Sequence, residues 1–250
     1  MTPRMTNVND LLSRHFLDRL LATPRGRAWV LWQASEAESS DEGRFFDLLL
    51  ARVDDPELHR MIGRHQADET RHAELFAGCA ERTGAPRPAI PAELKLLDRL
   101  DRALGGFFES FEADRRSVME AYIMLQVVEE RAVTQFAALE PAFRRRDPHA
   151  ADVIRSVAAD EERHLKYCRA ISRRYAPDEA THAAELRRVR DVESRVFAEH
   201  SRASMRYALE NELVRGPRLE TWLWRGLLAL GERRQPVLRT RFWSEAGAPG

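Results

Sequence analysis

Cysteine is scarce: Cys79 and Cys168 are the only two in 250 residues, and no C-x-x-C occurs. That excludes a dithiol redox motif, a zinc ribbon and a rubredoxin centre, and makes a reducing, cytoplasmic setting the expectation. Excess charge of either sign is missing too. Forty Lys and Arg balance forty Asp and Glu, mixed along the chain, so no global field recruits nucleic acid or a membrane surface. No apolar run reaches the roughly 18 residues needed to cross a bilayer. The opening MTPRMTNVND lacks the apolar segment of a secretion signal. Strand-like alternation and β-branched runs are nearly absent.

Periods of three and four dominate instead, and the chain reads as helices punctuated by turn residues. A leading helix is expected over 8–22 and a longer one over 24–53. Asp54-Asp55-Pro56 then makes a turn with Pro56 suited to a first helical position. The next helix covers 56–83 and ends at Gly84, before the breaker Ala85-Pro86-Arg87-Pro88-Ala89-Ile90-Pro91. Residues 92–113, interrupted at Gly105-Gly106, read as a long crossover. Helices over 115–140, stopped at Glu140-Pro141, and over 149–175 come next. A long helix from Pro177-Asp178 to about 214 is broken at Gly216-Pro217. A short amphipathic helix carries Trp222, Trp224, Leu227 and Leu228.

Within this pattern one phrase occurs twice. Asp68-Glu69-Thr70-Arg71-His72 and Asp160-Glu161-Glu162-Arg163-His164 are both D-E-x-R-H, displaced by 92 residues. Residues three apart share a helix face, so Glu69 joins His72, and Glu161 joins His164. The repeat extends over whole stripes: Ile62, His65, Glu69, His72, Phe76 and Cys79 answer to Ile154, Val157, Glu161, His164, Cys168 and Ile171. Tyr122, Leu125, Glu129, Ala132, Phe136 and Leu139 keep the same steps, as do Leu31, Ala34, Glu38, Asp41, Phe45 and Leu48. These are seam positions of a four-helix bundle. Every stripe carries a Glu at its middle, and a buried carboxylate is costly without compensation. Four carboxylates at one level with two imidazoles call for cations, as in bundles that project one Glu from each of two helices and E-x-x-H from each of two others.

The proposed metal ligands, which are also the catalytic residues, are Glu38, Glu69, His72, Glu129, Glu161 and His164. On the first helix Glu36 and Glu42 compete with Glu38, which shares the stripe of Leu31, Ala34 and Phe45. Metal-bound histidines donate their other ring N–H to a carboxylate or carbonyl. Asp68 is therefore expected against His164 and Asp160 against His72, with Arg71 and Arg163 orienting the aspartates. His65, seven residues before His72, either lines the site or, more simply, is a hydrogen-bonded core histidine. His182 and His200 read as surface residues, and the Arg144–Arg146 run as a solvated loop. Met119, Tyr122 and Leu125 read as core, with pocket lining as the sharper role. Trp222, Trp224 and Trp243 read as cover for an apolar flank or a dimer contact.

At these residues the chain resembles the ferritin-like diiron-carboxylate superfamily over about residues 25–175. Asp55-Pro56-Glu57-Leu58 ahead of Glu69-Thr70-Arg71-His72 is similar to the tRNA 2-methylthio-isopentenyladenosine hydroxylase family. So is Val128-Glu129-Glu130-Arg131 ahead of Phe136-Ala137-Ala138-Leu139. Carried over residue by residue, that family's iron ligands fall on the same six positions. Val133 stands where the multicomponent hydroxylases are expected to have a Thr, and Ala132 replaces the extra Glu of rubrerythrin-type peroxidases. The resemblance implies an all-α, ferritin-like four-helix bundle with a long crossover and additional C-terminal helices. Its divisions would be a leading helix at 1–24, the diiron bundle at 25–175 and a helical extension at 176–250.

It also implies an O2-dependent non-haem diiron oxygenase or hydroxylase. Such an enzyme holds two Fe ions (Fe2+/Fe3+), with Mn as the alternative metal. It acts on O2 and a small-molecule or nucleoside-type substrate. No flavin, haem or Fe–S motif is visible, so an external electron donor, a ferredoxin or reductase, is implied. The competing expectation is a ferroxidase, iron-storage or peroxide-scavenging protein. No membrane partner is expected, and a homodimer is the expected assembly.

Overall fold

The computed structural model describes residues 8–112 and 114–233. Among them every regular element is helical and no strand occurs. The ten α-helices are α1 (Val8–Leu21), α2 (Pro24–Glu36), α3 (Glu42–Arg52), α4 (Pro56–Arg82), α5 (Leu96–Ala103), α6 (Phe107–Ser110), α7 (Arg115–Arg144), α8 (Pro148–Tyr175), α9 (Glu179–Glu210) and α10 (Arg218–Arg233). A π-helical turn, Ala37–Asp41, joins α2 to α3, and a 3-10 turn, Ala92–Leu94, precedes α5. No described helix is long and apolar enough to cross a membrane. Trp243 lies outside the described residues.

Asp55 and Asp178, two of the turn residues read from the sequence, act as caps. Asp55 accepts from the backbone N–H groups of Glu57 and Leu58 at the head of α4, with Pro56 as its first residue. Asp114, Asp147 and Asp178 do the same for α7, α8 and α9. Each side chain satisfies a donor that a helix start leaves open, typically worth about 1 kcal/mol. Gly105 and Gly106 take left-handed φ values of 97° and 81° between α5 and α6, a region closed to most side chains.

Four rods supply the core: the composite α2–π–α3, α4, α7 and α8. Toward one end Phe46, Leu49, Ile62, Tyr122, Leu125 and Cys168 form one apolar layer, joined by Leu97, Leu100 and Phe111 of the crossover. Toward the other, Leu31, Phe76, Cys79, Phe136, Phe143, Ile154 and Val157 form a second. Each rod visits both layers. Their residue order shows that α2–α3 and α8 run one way while α4 and α7 run the other. Because α4 ends at the layer opposite the one where α7 begins, the connection must travel the length of the core, and residues 83–114 make that journey. Outside the rods, α9 packs on α7 through Val189, Met119, Ile123 and Val127. Trp224 and Leu228 of α10 close over Phe16, Leu20 and Trp29. Trp222 is exposed beside Leu219 and Leu223.

Several expectations need correction. The expected single helix over 24–53 is broken by the π turn, whose extra residue rotates the α3 side chains relative to those of α2. Phe46 and Leu49 are fully buried, whereas Leu48, which the uninterrupted stripe places in the seam, is only half-buried. α7 continues through Pro141 to Arg144: proline removes one N–H, and here the helix has less than one turn left to lose. His182 is buried, its Nε2 3.0 Å from Ser172 Oγ, and His200 is half-buried. Arg144 is held by Glu140 and Asp152.

Candidate metal centre

Between the two apolar layers lies a single polar one. Glu38, Glu69, His72, Glu129, Glu161 and His164 all reach it, and none is more than 8% exposed. The local causes are visible in the helices. On α4 and α8 the three-residue step puts each Glu beside its His: Nδ1 of His72 is 3.1 Å from Glu69 Oε2, and Nδ1 of His164 is 3.1 Å from Glu161 Oε2. On the first rod the π turn brackets Glu38, and such turns commonly appear at functional sites.

Glu69 and Glu161 also reach across. Glu69 Oε1 is 3.0 Å from His164 Nδ1, and Glu161 Oε1 is 3.1 Å from His72 Nδ1. Glu38 and Glu129 flank the pair, Glu38 with an oxygen 3.9 Å from His72 Nδ1 and Glu129 with one 3.9 Å from His164 Nδ1. The arrangement thus has two halves, with two carboxylates spanning them and one flanking each. Glu36 is placed elsewhere, against Arg87 and Lys95. The Glu42 side chain lies outside the described residues. Glu130 faces Arg169 and Arg190.

A ring of charges holds the histidines from behind. His72 Nε2 faces Asp160 Oδ2 at 3.3 Å, and His164 Nε2 faces Asp68 Oδ2 at 3.2 Å. Arg71 donates to Asp160 and Asp68, at 2.6 and 3.1 Å. Arg163 donates to the same pair, at 2.6 and 2.9 Å. These are the cross-site contacts that the doubled D-E-x-R-H spacing suggests. With Nε2 turned to an aspartate, each histidine aims Nδ1 at the carboxylates.

Electrostatics follow from the packing. Burial disfavours the charged form of His72 and His164, but Glu161 and Glu69 outweigh it and push them up to about 10 and about 9. Burial likewise opposes ionisation of Asp160, yet Arg71, His72 and Arg163 hold it down to about 2. Burial opposes ionisation of Glu69 and Glu161, yet both stay below the ordinary carboxylate range, Glu69 through Glu38 and the histidines and Glu161 through His164 and His72. In this form two imidazolium charges face the ionised Glu69 and Glu161.

His65 lines this layer as well, the sharper of its two readings rather than the simpler one. Its Nε2 is 2.7 Å from Glu69 Oε1 and 3.0 Å from Glu129 Oε1, on the half that contains His164. Burial lowers its pKa more than Glu69 raises it, so the ring is neutral. The available signal was its place in the α4 stripe, one heptad before His72 on the same face. Tyr167 stands beside it, ring centroids 5.2 Å apart, with its buried hydroxyl lacking a partner.

Several of these close contacts are not hydrogen bonds. Both His65 nitrogens, Glu69 Oε1 and Glu161 Oε1 are buried without a hydrogen-bond partner. Buried polar atoms are nearly always satisfied, so a cluster of orphans facing one point marks a place built for another group. Single ligand atoms of Glu38, Glu69, His72 and Glu161 lie within 4.8 Å of one another, and so do those of His65, Glu69, Glu129 and His164. Two buried groups of mixed oxygen and nitrogen donors, sharing Glu69, suit two divalent cations, whose four charges the four carboxylates cancel. A separate cavity of about 660 Å³ lies near the start of α7, lined by Arg115, Met119, Tyr175 and Arg188 among others, well away from this layer. Comparison with protein-family models, curated proteins and solved structures finds no match to the chain.

Proposed function

We propose that the chain is a ferritin-like four-helix diiron protein and acts as an O2-dependent oxygenase on an organic substrate. The observation that carries the reading is the buried layer of four carboxylates and Nδ1-directed histidines with unsatisfied atoms. The rod directions and the end-to-end crossover support the ferritin-like topology. Oxygen and imidazole donors together favour iron over magnesium or calcium, with manganese next. A bound ferrous pair would supply the electrons for the first reduction of O2, and an external donor would restore them.

The chain's own residues would do the rest. Glu69 and Glu161 span both positions, while Glu38 and Glu129 each complete one. Asp160 and Asp68 fix which ring nitrogen of His72 and His164 carries the proton, leaving Nδ1 free to bind. Arg71 and Arg163 keep both aspartates ionised and in register. Phe46, Phe76, Phe136 and Leu125 keep bulk water from the layer.

One observation favours a ferroxidase instead: the polar layer is nearly closed, Glu38 being the most exposed of its six groups at 8%. Anaerobic Fe(II) loading followed by mixing with O2 separates the two. An oxygenase centre takes up about one O2 for each iron pair and remains a two-iron protein. Continued uptake with growth of a ferric mineral, many irons per chain, establishes the ferroxidase reading.

A further inference from the structure

We infer that His65 is a third imidazole ligand of the metal pair, bound to the ion held by Glu129 and His164, so that the two metal positions are chemically unequal. The inference rests on the dinuclear reading of the site. The 92-residue repeat sets Ile62 against Ile154, Glu69 against Glu161 and His72 against His164. At one slot the two copies differ in kind: His65 answers to Val157. Both are buried at equivalent positions on α4 and α8. Val157 belongs to the apolar layer with Leu31 and Phe76. His65 instead turns its Nε2 to Glu69 and Glu129, and its ring lies 3.9 Å from that of His164.

A histidine retained for packing is expected to have its nitrogens satisfied, and neither nitrogen of His65 is. Burying an imidazole unsatisfied beside two carboxylates is costly unless a cation completes the group. An imidazole nitrogen held 2.7 and 3.0 Å from two carboxylates suits a first-row transition-metal ion. The ion on the Glu129 side then receives two nitrogen donors, whereas the ion on the Glu38 side receives one. The Glu38 position therefore keeps more room for an exogenous ligand. It is also the side nearest solvent, Glu38 being 8% exposed against 2% for Glu129. O2 and any small substrate are assigned to approach on that side.

The test uses the full-length chain loaded anaerobically with Co(II), a probe that stays divalent. His65→Val installs the residue of the twin slot, which the fold already accommodates at Val157. Two readouts are taken: the binding isotherm, and the number of coordinated imidazoles from X-ray absorption fine structure. The wild type is expected to bind two ions with unequal affinities and to show three imidazoles over the pair. The variant is expected to show one per ion. The ion on the Glu129 side should lose more than the roughly 10- to 100-fold that removal of an outer partner costs, while the ion on the Glu38 side is little changed. Two imidazoles per pair in the wild type overturn the inference whether or not the variant folds. Identical isotherms for wild type and variant overturn it as well, and leave the dinuclear reading standing. Absence of stoichiometric cobalt binding by the wild type overturns both.

Discussion

Metal loading should expel protons, and the number can be worked from the site. In the metal-free protein His72 is pushed up to about 10 and His164 to about 9 by Glu161 and Glu69, against the opposing effect of burial. At pH 7.5 the neutral forms are then about 1 part in 300 and 1 part in 30, from the definition of a pKa. Glu69 and Glu161, held below the ordinary range, bring no protons to release. A cation takes the Nδ1 lone pair, so each imidazolium must lose its proton on binding. The two histidines should therefore release about two protons per chain on saturation with two divalent ions near pH 7.5, a contribution that falls toward zero above about pH 10. Titration calorimetry in buffers of different ionisation enthalpy counts them. Metal binding with no buffer dependence, or a release that does not change between pH 7.5 and 10.5, would refute the reasoning.

The same shifts predict how stability of the metal-free protein depends on pH. His72 and His164 are raised above about 6.5, so their stabilisation is complete below that pH and is lost as pH climbs through 9 to 10. Asp160 is lowered from 3.8 to about 2, so its stabilisation is present above about 4 and lost as pH falls toward 2. His65, whose pKa burial lowers, works against the low-pH side of that plateau. Urea midpoints measured from pH 3 to 10.5 should trace a plateau between these limits. Asp160→Asn should weaken metal binding by about 10- to 100-fold without abolishing it, since it loosens His72 rather than removing a ligand; competition with a chelator reads this. Glu38→Ala should lower the metal count, while Glu36→Ala, on the Arg87 and Lys95 side, should leave it unchanged. Glu193→Ala removes the buried partner that fixes Arg131 at 2.7 and 2.9 Å between α7 and α9. It should cost about 2 kcal/mol in chemical unfolding with the metal count unaltered.

Much of this architecture is legible in the residues, for identifiable reasons. All twelve stripe positions on α4 and α8 are buried, because an unbroken α-helix converts a three-four spacing into one face. The capping aspartates before α4 and α9 are equally readable, since their side chains act within three residues of themselves. The features that were not legible depend on distant parts of the chain. The π turn around Glu38 changes the period locally, so an extrapolated stripe puts Leu48 where Phe46 and Leu49 lie. His182 and His200 look like surface histidines until α9 packs over α7 and α8. His65 has the spacing of a core residue, and only the meeting of α4, α7 and α8 brings its Nε2 to Glu129.

Metal content after equilibrium dialysis against Fe(II) under anaerobic conditions, for wild type beside Glu161→Ala, tests the central claim most directly. Glu161 reaches both histidines, at 3.1 Å each, so its loss should disturb both positions at once. The account predicts two irons per wild-type chain and fewer than one in the variant. A wild type that retains no stoichiometric iron, or a variant that retains as much as the wild type, would contradict it.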